Sequence, residues 1–215
     1  TSQEKLNEVV SALDDRRIEL ARLKDRFPIE VDLVPADIAE VTRKRVLTKK
    51  ASVVPQLSKM FEDNQHRLNQ CTALEHTSRN SETRKEDFIN LYPYLPFHIE
   101  LCIDIMSGIR LLPGAQRHIG GSNRTIIKQA QQMLINPRVK LAEENLGTLV
   151  TFDKVYDLIK DNLSSEKQRD MLSIEERFPK DDLIVKVAKA ICLLEFVKDL
   201  PRTVNNIAAV IYPEI

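Results

Sequence analysis

Glycine and tryptophan are scarce in this chain, which has five glycines and no tryptophan among its 215 residues. Few stretches alternate β-branched with polar residues, so the composition indicates a mainly α-helical protein with at most a minor sheet. No apolar run approaches the length of a membrane helix, and no signal peptide opens the chain. We therefore expect a cytoplasmic protein that does not associate with membranes.

Cysteine is also scarce, and its spacing argues against both a disulfide-rich fold and a zinc-binding fold. The three cysteines, Cys71, Cys102 and Cys192, lie far apart, form no C-x-x-C pair and have no histidine at metal-ligand spacing. Neither a disulfide framework nor a zinc site is indicated, which fits a reducing compartment. The four histidines are scattered in the same way, so we predict no metal site (His66, His76, His98, His118).

Net charge is absent as well, since 32 lysines and arginines balance 32 aspartates and glutamates. The chain as a whole therefore has no electrostatic attraction for nucleic acid or for an anionic membrane. A basic cluster does occur at Arg43-Lys44-Arg45 with Lys49-Lys50. A solvated helix face explains this cluster more simply than a contact with nucleic acid.

Both common phosphate-binding loops are missing, because the sequence contains neither G-x-x-x-x-G-K-[ST] nor G-x-G-x-x-G. The backbone cradle and the lysine that hold the β- and γ-phosphates of ATP are therefore absent. We expect no tight ATP or Mg²⁺ binding and no ATP hydrolysis by this chain alone.

The apolar spacing predicts a succession of helices with one short strand. Alternation over Ile29 to Val34 is typical of a strand near a sheet edge, and Pro35 predicts a helix that ends near Lys49-Lys50. Thr83 with Glu86 has the spacing of a capping box, and Thr203 is a predicted N-cap. Further helices are predicted over about 53–68, 99–109, 122–134, 152–163 and 184–196. Composition shifts at 137–147, which predicts a boundary between residues 36–137 and a C-terminal unit, residues 148–215.

Two arginines have flanking sequences that suit contact with a phosphate. Arg26, in Asp-Arg-Phe, follows a helical run and precedes the predicted strand, a position from which a guanidinium could reach a neighbouring subunit's γ-phosphate. Arg124 opens a predicted helix behind Gly120-Gly121-Ser122, where a guanidinium could contact phosphate in a bidentate manner. A salt-bridged surface arginine at Arg26 and an ordinary helix start capped by Ser122 are the alternatives.

The first residues are polar, so a role at the end of a strand beside a bound γ-phosphate is one interpretation of them. A polar side chain at such a strand end can orient the attacking water. Thr1, Ser2 and Gln3 are the candidates, and the sequence does not separate them. The alternative is a strand end without a role in the chemistry. Because the chain begins with threonine, we expect it to be an internal piece of a longer protein.

Five motifs follow one another along the chain: T-S-Q-E, D-R-F-x-x-x-V-x-L, D-I-A-E-V-T-R-K-R-V-L-T-K, D-F-I-N-L-Y-P-Y-L-P-F-H and G-S-N-R-T. In this order they resemble one family, the large P-loop ATPase of BREX phage-exclusion systems (BrxC/PglY type). The likeness continues through residues 149–157 and 193–201, so the resemblance covers nearly the whole chain.

The resemblance implies the part of an AAA+ ATPase module that follows Walker B. Residues 1–35 would end the AAA+ core, with sensor 1 at Ser2 or Gln3 and the arginine finger at Arg26. Residues 36–137 would form a helical lid carrying sensor 2 at Arg124. The full-length parent would use ATP and Mg²⁺, and its partners would be neighbouring ATPase subunits, other defence-system proteins and, through the full complex, DNA.

A second interpretation is a non-catalytic helical interaction module. Residues 148–215 have the helix-turn-helix outline of a truncated winged-helix-like unit, which could dock a protein or DNA partner. Its last helix, from Thr203 to Ile211, contains no lysine or arginine, and a major-groove reader normally needs positive charge. Packing or partner docking is therefore the favoured role for this helix. A P-loop upstream of Thr1 in the parent would favour the ATPase interpretation.

Overall fold

The computed structural model describes residues 35–111 and 122–215, which form nine α-helices and no sheet. The prediction of a mainly helical chain is therefore confirmed. The predicted strand at Ile29 to Val34 lies outside the described residues. The helices are α1 (Pro35–Arg45), α2 (Val54–Cys71), α3 (Lys85–Leu91), α4 (Pro96–Arg110), α5 (Ser122–Ile135), α6 (Phe152–Ile159), α7 (Ser165–Arg177), α8 (Asp182–Leu194) and α9 (Val204–Val210).

Helix α1 begins at Pro35, as predicted, but ends at Arg45 rather than near Lys49-Lys50. Proline suits a first helical position because it needs no hydrogen-bond partner for its nitrogen. The helical pattern ends where the backbone N–H of Leu47 donates to the carbonyl of Thr42, five residues earlier, at 3.1 Å, in addition to the regular bond from the Val46 N–H to the same carbonyl at 2.9 Å. Leu47, just after this last turn, is buried in the core.

The capping box predicted at Thr83 and Glu86 is wrong. Helix α3 has Arg84 as its N-cap residue, and no side chain caps it. Asn69 of α2 holds the Thr83 backbone instead: its Oδ1 accepts from the Thr83 N–H at 2.9 Å, and its Nδ2 donates to the Thr83 carbonyl at 3.2 Å. This pairing fixes Thr83 outside the helix, so α3 begins two residues later.

Helix α4 forms the centre of the bundle. Nine of its fifteen residues are buried, which is more than one apolar stripe can supply, so other elements surround the helix. Helix α5 packs against both α1 and α4, and its buried residues are Ile126, Gln129, Ala130 and Met133. The inner face of α5 is therefore fixed in the core, and this positions the start of the helix.

The last four helices pack around α8, which contacts α6, α7 and α9. Three of them begin at a side-chain cap. Ser164 accepts from the Lys167 N–H, Asp181 from the Ile184 N–H, and Thr203 from the Asn206 N–H. The predicted cap at Thr203 is confirmed, whereas the amino-acid pattern did not predict α7.

Hydrogen bonds join residues 36–137 to residues 148–215 and to the connector before them. The N–H of Val150 donates to the Pro93 carbonyl at 3.0 Å, and the N–H of Gly147 donates to the Tyr92 hydroxyl at 2.8 Å. The hydrophobic core includes buried side chains from both stretches. The unit boundaries themselves stay a prediction.

Among the helices of residues 35–111 and 122–215, none combines the length with the apolar composition that crossing a bilayer requires.

Candidate functional site

The predicted phosphate-contacting residues fall mostly outside the part of the chain that the structure describes. Ser2, Gln3 and Arg26 lie before residue 35. Arg124 is the third residue of α5, and the structure describes its backbone but not its side chain. Whether these four residues come together therefore stays a prediction.

The start of α5 is placed as the sequence predicted. The helix begins at Ser122, so the backbone of Arg124 lies in its first turn. The N–H groups of a first helical turn have no partner within the helix, and the helix dipole is positive there. Such an end suits an anion.

A second positively charged region lies at the end of α1. Within the basic cluster, the Arg43 guanidinium donates to Asn90 Oδ1 at 3.4 Å, and the Lys49 ammonium donates to the Asn90 carbonyl at 2.8 Å. Burial, together with the positive charge of Arg43, lowers the pKa of Lys49 to about 8. Lys44, which pairs with Glu40, is exposed to solvent as predicted, whereas Lys49 is partly buried.

Arg79 is the centre of an ion-pair cluster that the sequence analysis did not find. Its guanidinium contacts Asp104 of α4, Asp199 at 2.6 Å and Glu100 at 3.7 Å. The arginine side chain is only 13% exposed, whereas the carboxylates are between 40% and 54% exposed. The cluster ties the non-helical segment 72–84 to α4 and to the turn after α8.

Lys189 forms a similar cluster among the C-terminal helices. Its ammonium lies 2.8 Å from Asp157 Oδ1 of α6 and 3.1 Å from Glu175 Oε1 of α7, and 5.6 Å from the ring centre of Tyr156. Burial, with smaller contributions from Cys192, Glu175 and Asp157, raises the pKa of Tyr156 to about 12, so its hydroxyl stays protonated. Because both carboxylates are engaged by one buried lysine, the cluster holds three helices together.

Asn206 of helix α9 is fully buried and binds other parts of the chain. Its Oδ1 accepts from the Glu75 N–H at 2.8 Å, and its Nδ2 donates to the carbonyls of Glu75 and Pro201 at 3.0 and 2.9 Å. An amide that makes these three bonds cannot read a base edge. Asn205 is exposed and donates to the Glu75 carboxylate at 2.8 Å.

Histidine and cysteine do not converge on a metal site in the described ranges, where no three His, Cys, Asp or Glu side chains are grouped to hold an ion. His98 is buried, and burial lowers its pKa to about 3. Burial raises the pKa of the Cys102 thiol to about 12, which keeps it protonated and therefore a poor ligand. His118 lies outside the described residues.

Two further surfaces are open to solvent. A cleft of about 550 Å³ runs beside α2 and is lined by polar side chains, among them Glu62, His66 and Glu82. Large apolar side chains are exposed on α7, on the residue that follows it and on α8. These are Leu172, Phe178, Leu183, Ile184 and Ile191, which are between 36% and 63% exposed.

Sequence reasoning missed the clusters at Arg79 and Lys189 because their partners are distant in the chain. Arg79 lies 25 residues from Asp104 and 120 from Asp199, and Lys189 lies 32 residues from Asp157. Only helical spacings of three and four bring charges together predictably within one sequence. No local pattern could have signalled either cluster.

No family model matches this chain, and no solved structure matches it.

Proposed function

We propose that this chain is the arginine-finger and lid part of a P-loop ATPase that acts in bacterial phage defence, like the BREX ATPases it resembles. The observation that carries the proposal is the order of five family-like motifs, which ends in Gly-Ser-Asn-Arg-Thr. The fold supports the lid assignment, because α5 begins at Ser122 and packs on α1 and α4. Arg124 would thus contact phosphate from the first turn of a helix that is packed against two others.

The proposed roles divide between two subunits of the full-length parent. Arg26 would reach the ATP of a neighbouring subunit, while Arg124 would contact the phosphates bound by its own subunit. Ser2 or Gln3 would orient the attacking water, and the parent's own P-loop would hold ATP and Mg²⁺. Residues 1–35 would complete an AAA+ core, and residues 148–215 would be a winged-helix-like unit.

The finger is tested by Arg26→Ala in the full-length parent. ATP turnover should fall by roughly 10³- to 10⁵-fold with little change in nucleotide affinity, because a finger stabilises charge that develops in the transition state. Mixing this variant with a P-loop variant should restore some turnover, since intact half-sites meet at one interface. Arg138→Ala, which removes an exposed arginine paired with Asp161, is the matched control and should leave turnover unchanged. Normal turnover in Arg26→Ala would remove the finger role.

Arg124→Ala should instead weaken ATP binding by the same parent. Loss of a charge-assisted contact costs about 1.5 to 3 kcal/mol, or roughly ten- to a hundredfold in affinity. Arg124→Lys should recover part of the affinity, because it keeps the charge without the fork geometry. Affinity and melting temperature measured on the same variant separate this role from an ordinary helix start. Wild-type affinity would contradict sensor 2.

A second candidate function is a helical interaction module that docks a protein partner through α7 and α8. The exposed apolar side chains of these helices favour it, and the burial of Asn206 disfavours DNA reading by α9. Leu183→Asp should then abolish co-purification of the full-length parent with its protein partners, whether or not the parent hydrolyses ATP. Val204→Asp, at an exposed apolar residue of α9, is the control. Equal co-purification by both variants and the wild type would exclude this surface.

A further inference from the structure

Two basic side chains from α1 and the stretch after it meet over one residue of α3. Arg43 NH1 lies 3.4 Å from Asn90 Oδ1, and Lys49 Nζ lies 2.8 Å from the Asn90 carbonyl oxygen. Asn90 belongs to the last turn of α3, where backbone carbonyls have no partner within the helix. The amine and the guanidinium are therefore held side by side at the end of α3.

This pair of cations is not neutralised by an equal number of carboxylates. Glu40 lies 3.8 Å from Arg43 but is engaged more closely by Lys44, at 2.6 Å. No ion pair among residues 35–111 and 122–215 includes Lys49, whose recorded partner is the neutral Asn90 carbonyl. The site can therefore accept an anion beside a partly exposed primary amine.

The electrostatics of the site also favour a reactive amine. Burial and the charge of Arg43 lower the pKa of Lys49 to about 8. At pH 7 about 10% of such an amine is uncharged, against about 0.04% for a lysine of ordinary pKa. Arg43 on α1 is the charged group that acts on the amine, and α3 contributes the uncharged side chain and carbonyl of Asn90.

We propose that Lys49 is a preferred acylation site of this chain and that its donors are acyl phosphates. The Nζ lone pair attacks the acyl carbon, and the bond from that carbon to the phosphate oxygen breaks. The bonding electrons leave with inorganic phosphate, and the proton lost by the amine passes to that phosphate or to water. Arg43 binds the phosphate group before and during its departure, since a guanidinium suits phosphate oxygens.

The modification would change the charge at this end of the bundle. An amide replaces the ammonium, so one positive charge disappears while one N–H remains to donate to Asn90. Arg43 would then be the remaining cation on Asn90. This inference is independent of the ATPase proposal, because it concerns none of the residues assigned to ATP.

The experiment exposes the intact chain to acetyl phosphate at pH 7.5 and follows acetylation of each lysine by peptide mass spectrometry. Lys44 and Lys50 are exposed and serve as controls within the same chain. Lys49 should be acetylated at least ~10-fold faster than either, with a rate that rises up to about pH 8 and then levels off. A Lys49 rate equal to or below that of Lys50 overturns the proposal.

Arg43→Gln tests the role of the guanidinium in binding the phosphate. The variant should slow Lys49 acetylation by acetyl phosphate more than it slows acetylation by an uncharged N-hydroxysuccinimide ester, which has no phosphate to bind. Equal slowing with both reagents would remove the phosphate-binding role of Arg43. Circular dichroism of the variant verifies the fold, and the wild-type comparison with Lys50 decides the main proposal without any substitution.

Discussion

His98 is a titratable side chain enclosed by aromatic rings. It is 1% exposed, and its ring centre lies 4.5 Å from that of Phe97 and 5.6 Å from that of Phe152. The Leu95 N–H donates to its Nδ1 at 3.3 Å, so the neutral ring carries its proton on Nε2. A charged imidazolium would lose water without gaining an anion, which is why the pKa falls to about 3.

The stability of the chain should therefore depend on pH through His98. Between about pH 6.5 and pH 3 the unfolded chain binds a proton at this residue that the folded chain does not bind. The free energy of unfolding should accordingly fall as pH falls, by at most about 1.4 kcal/mol per pH unit from this residue. Urea unfolding at pH 7, 6 and 5 measures the slope.

His98→Gln isolates this contribution. Glutamine does not titrate, and its carbonyl can still accept from the Leu95 N–H at the third helical position. The variant should show a shallower fall in stability below pH 6.5 than the wild type. His66→Gln, at an exposed histidine on the cleft beside α2, should leave the slope unchanged. Identical slopes for wild type and His98→Gln would refute the assignment.

At the scale of elements, one buried amide joins α9 to the segment after α2. The Asn206 Nδ2 lies between the carbonyls of Glu75 and Pro201. Asn206→Asp would place a carboxylate oxygen against these two carbonyl oxygens, at a position that is fully buried. We expect a loss of at least about 3 kcal/mol in the free energy of unfolding at pH 7.

The pH dependence of the Asn206→Asp variant gives a second measurement. The new carboxyl should have a raised pKa in the folded chain, so the loss should shrink as pH falls and the group becomes protonated. The control is Asn205→Asp, next in sequence but exposed, which should cost much less. Similar losses in both variants at pH 7 would contradict the importance of the buried amide.

A close approach also joins α4 to the turn after α8. A Cβ placed on Gly108 would lie 2.9 Å from the Phe196 Cβ and 3.1 Å from the Phe196 carbonyl oxygen. Alanine would favour an isolated helix by about 1 kcal/mol, yet here it must displace the backbone of another element. Gly108→Ala should therefore lower the free energy of unfolding by about 1 to 3 kcal/mol.

The matched comparison for Gly108→Ala is Ser107→Ala, on the preceding residue of the same helix. Chemical unfolding of the two variants under one condition should show a loss only for Gly108→Ala. A Gly108→Ala variant as stable as the wild type would contradict this prediction, because α4 and the turn after α8 would then be able to move apart at little cost.

The predictability of an element from sequence depended on how much apolar surface it buries. The stripe of Ile99, Cys102 and Met106 predicted α4, which buries most of its residues. Helix α7 buries only Met171, so it carries no stripe and was not predicted. The cap at Thr83 failed for a different reason, since Asn69, fourteen residues away, holds its backbone.

The candidate site follows the same rule. The serine that follows Gly120-Gly121 and the local run of residues after it were enough to predict the start of α5 at Ser122. The contact of Asn206 with Glu75 spans 131 residues, and that of Lys49 with Asn90 spans 41. Such contacts arise from packing between elements, which local propensity does not encode.

At the scale of the whole molecule, residues 36–137 and 148–215 should unfold together. They share the hydrophobic core and are joined through Val150 with Pro93 and Asn206 with Glu75. We expect one cooperative thermal transition, with equal calorimetric and van't Hoff enthalpies for these residues. A separate piece containing residues 148–215 should show little helix by circular dichroism. Two resolved transitions would contradict this expectation.

Because of the Arg79 cluster, the attachment of segment 72–84 to the rest of the molecule should depend on ionic strength. Segment 72–84 has no helix of its own, and Arg79 fastens it to Asp104 and Asp199, which are each at least 40% exposed. Dissolved salt screens exposed charges but hardly affects the apolar core. In concentrated salt, segment 72–84 should become cleavable by a protease while the helices packed around it remain folded.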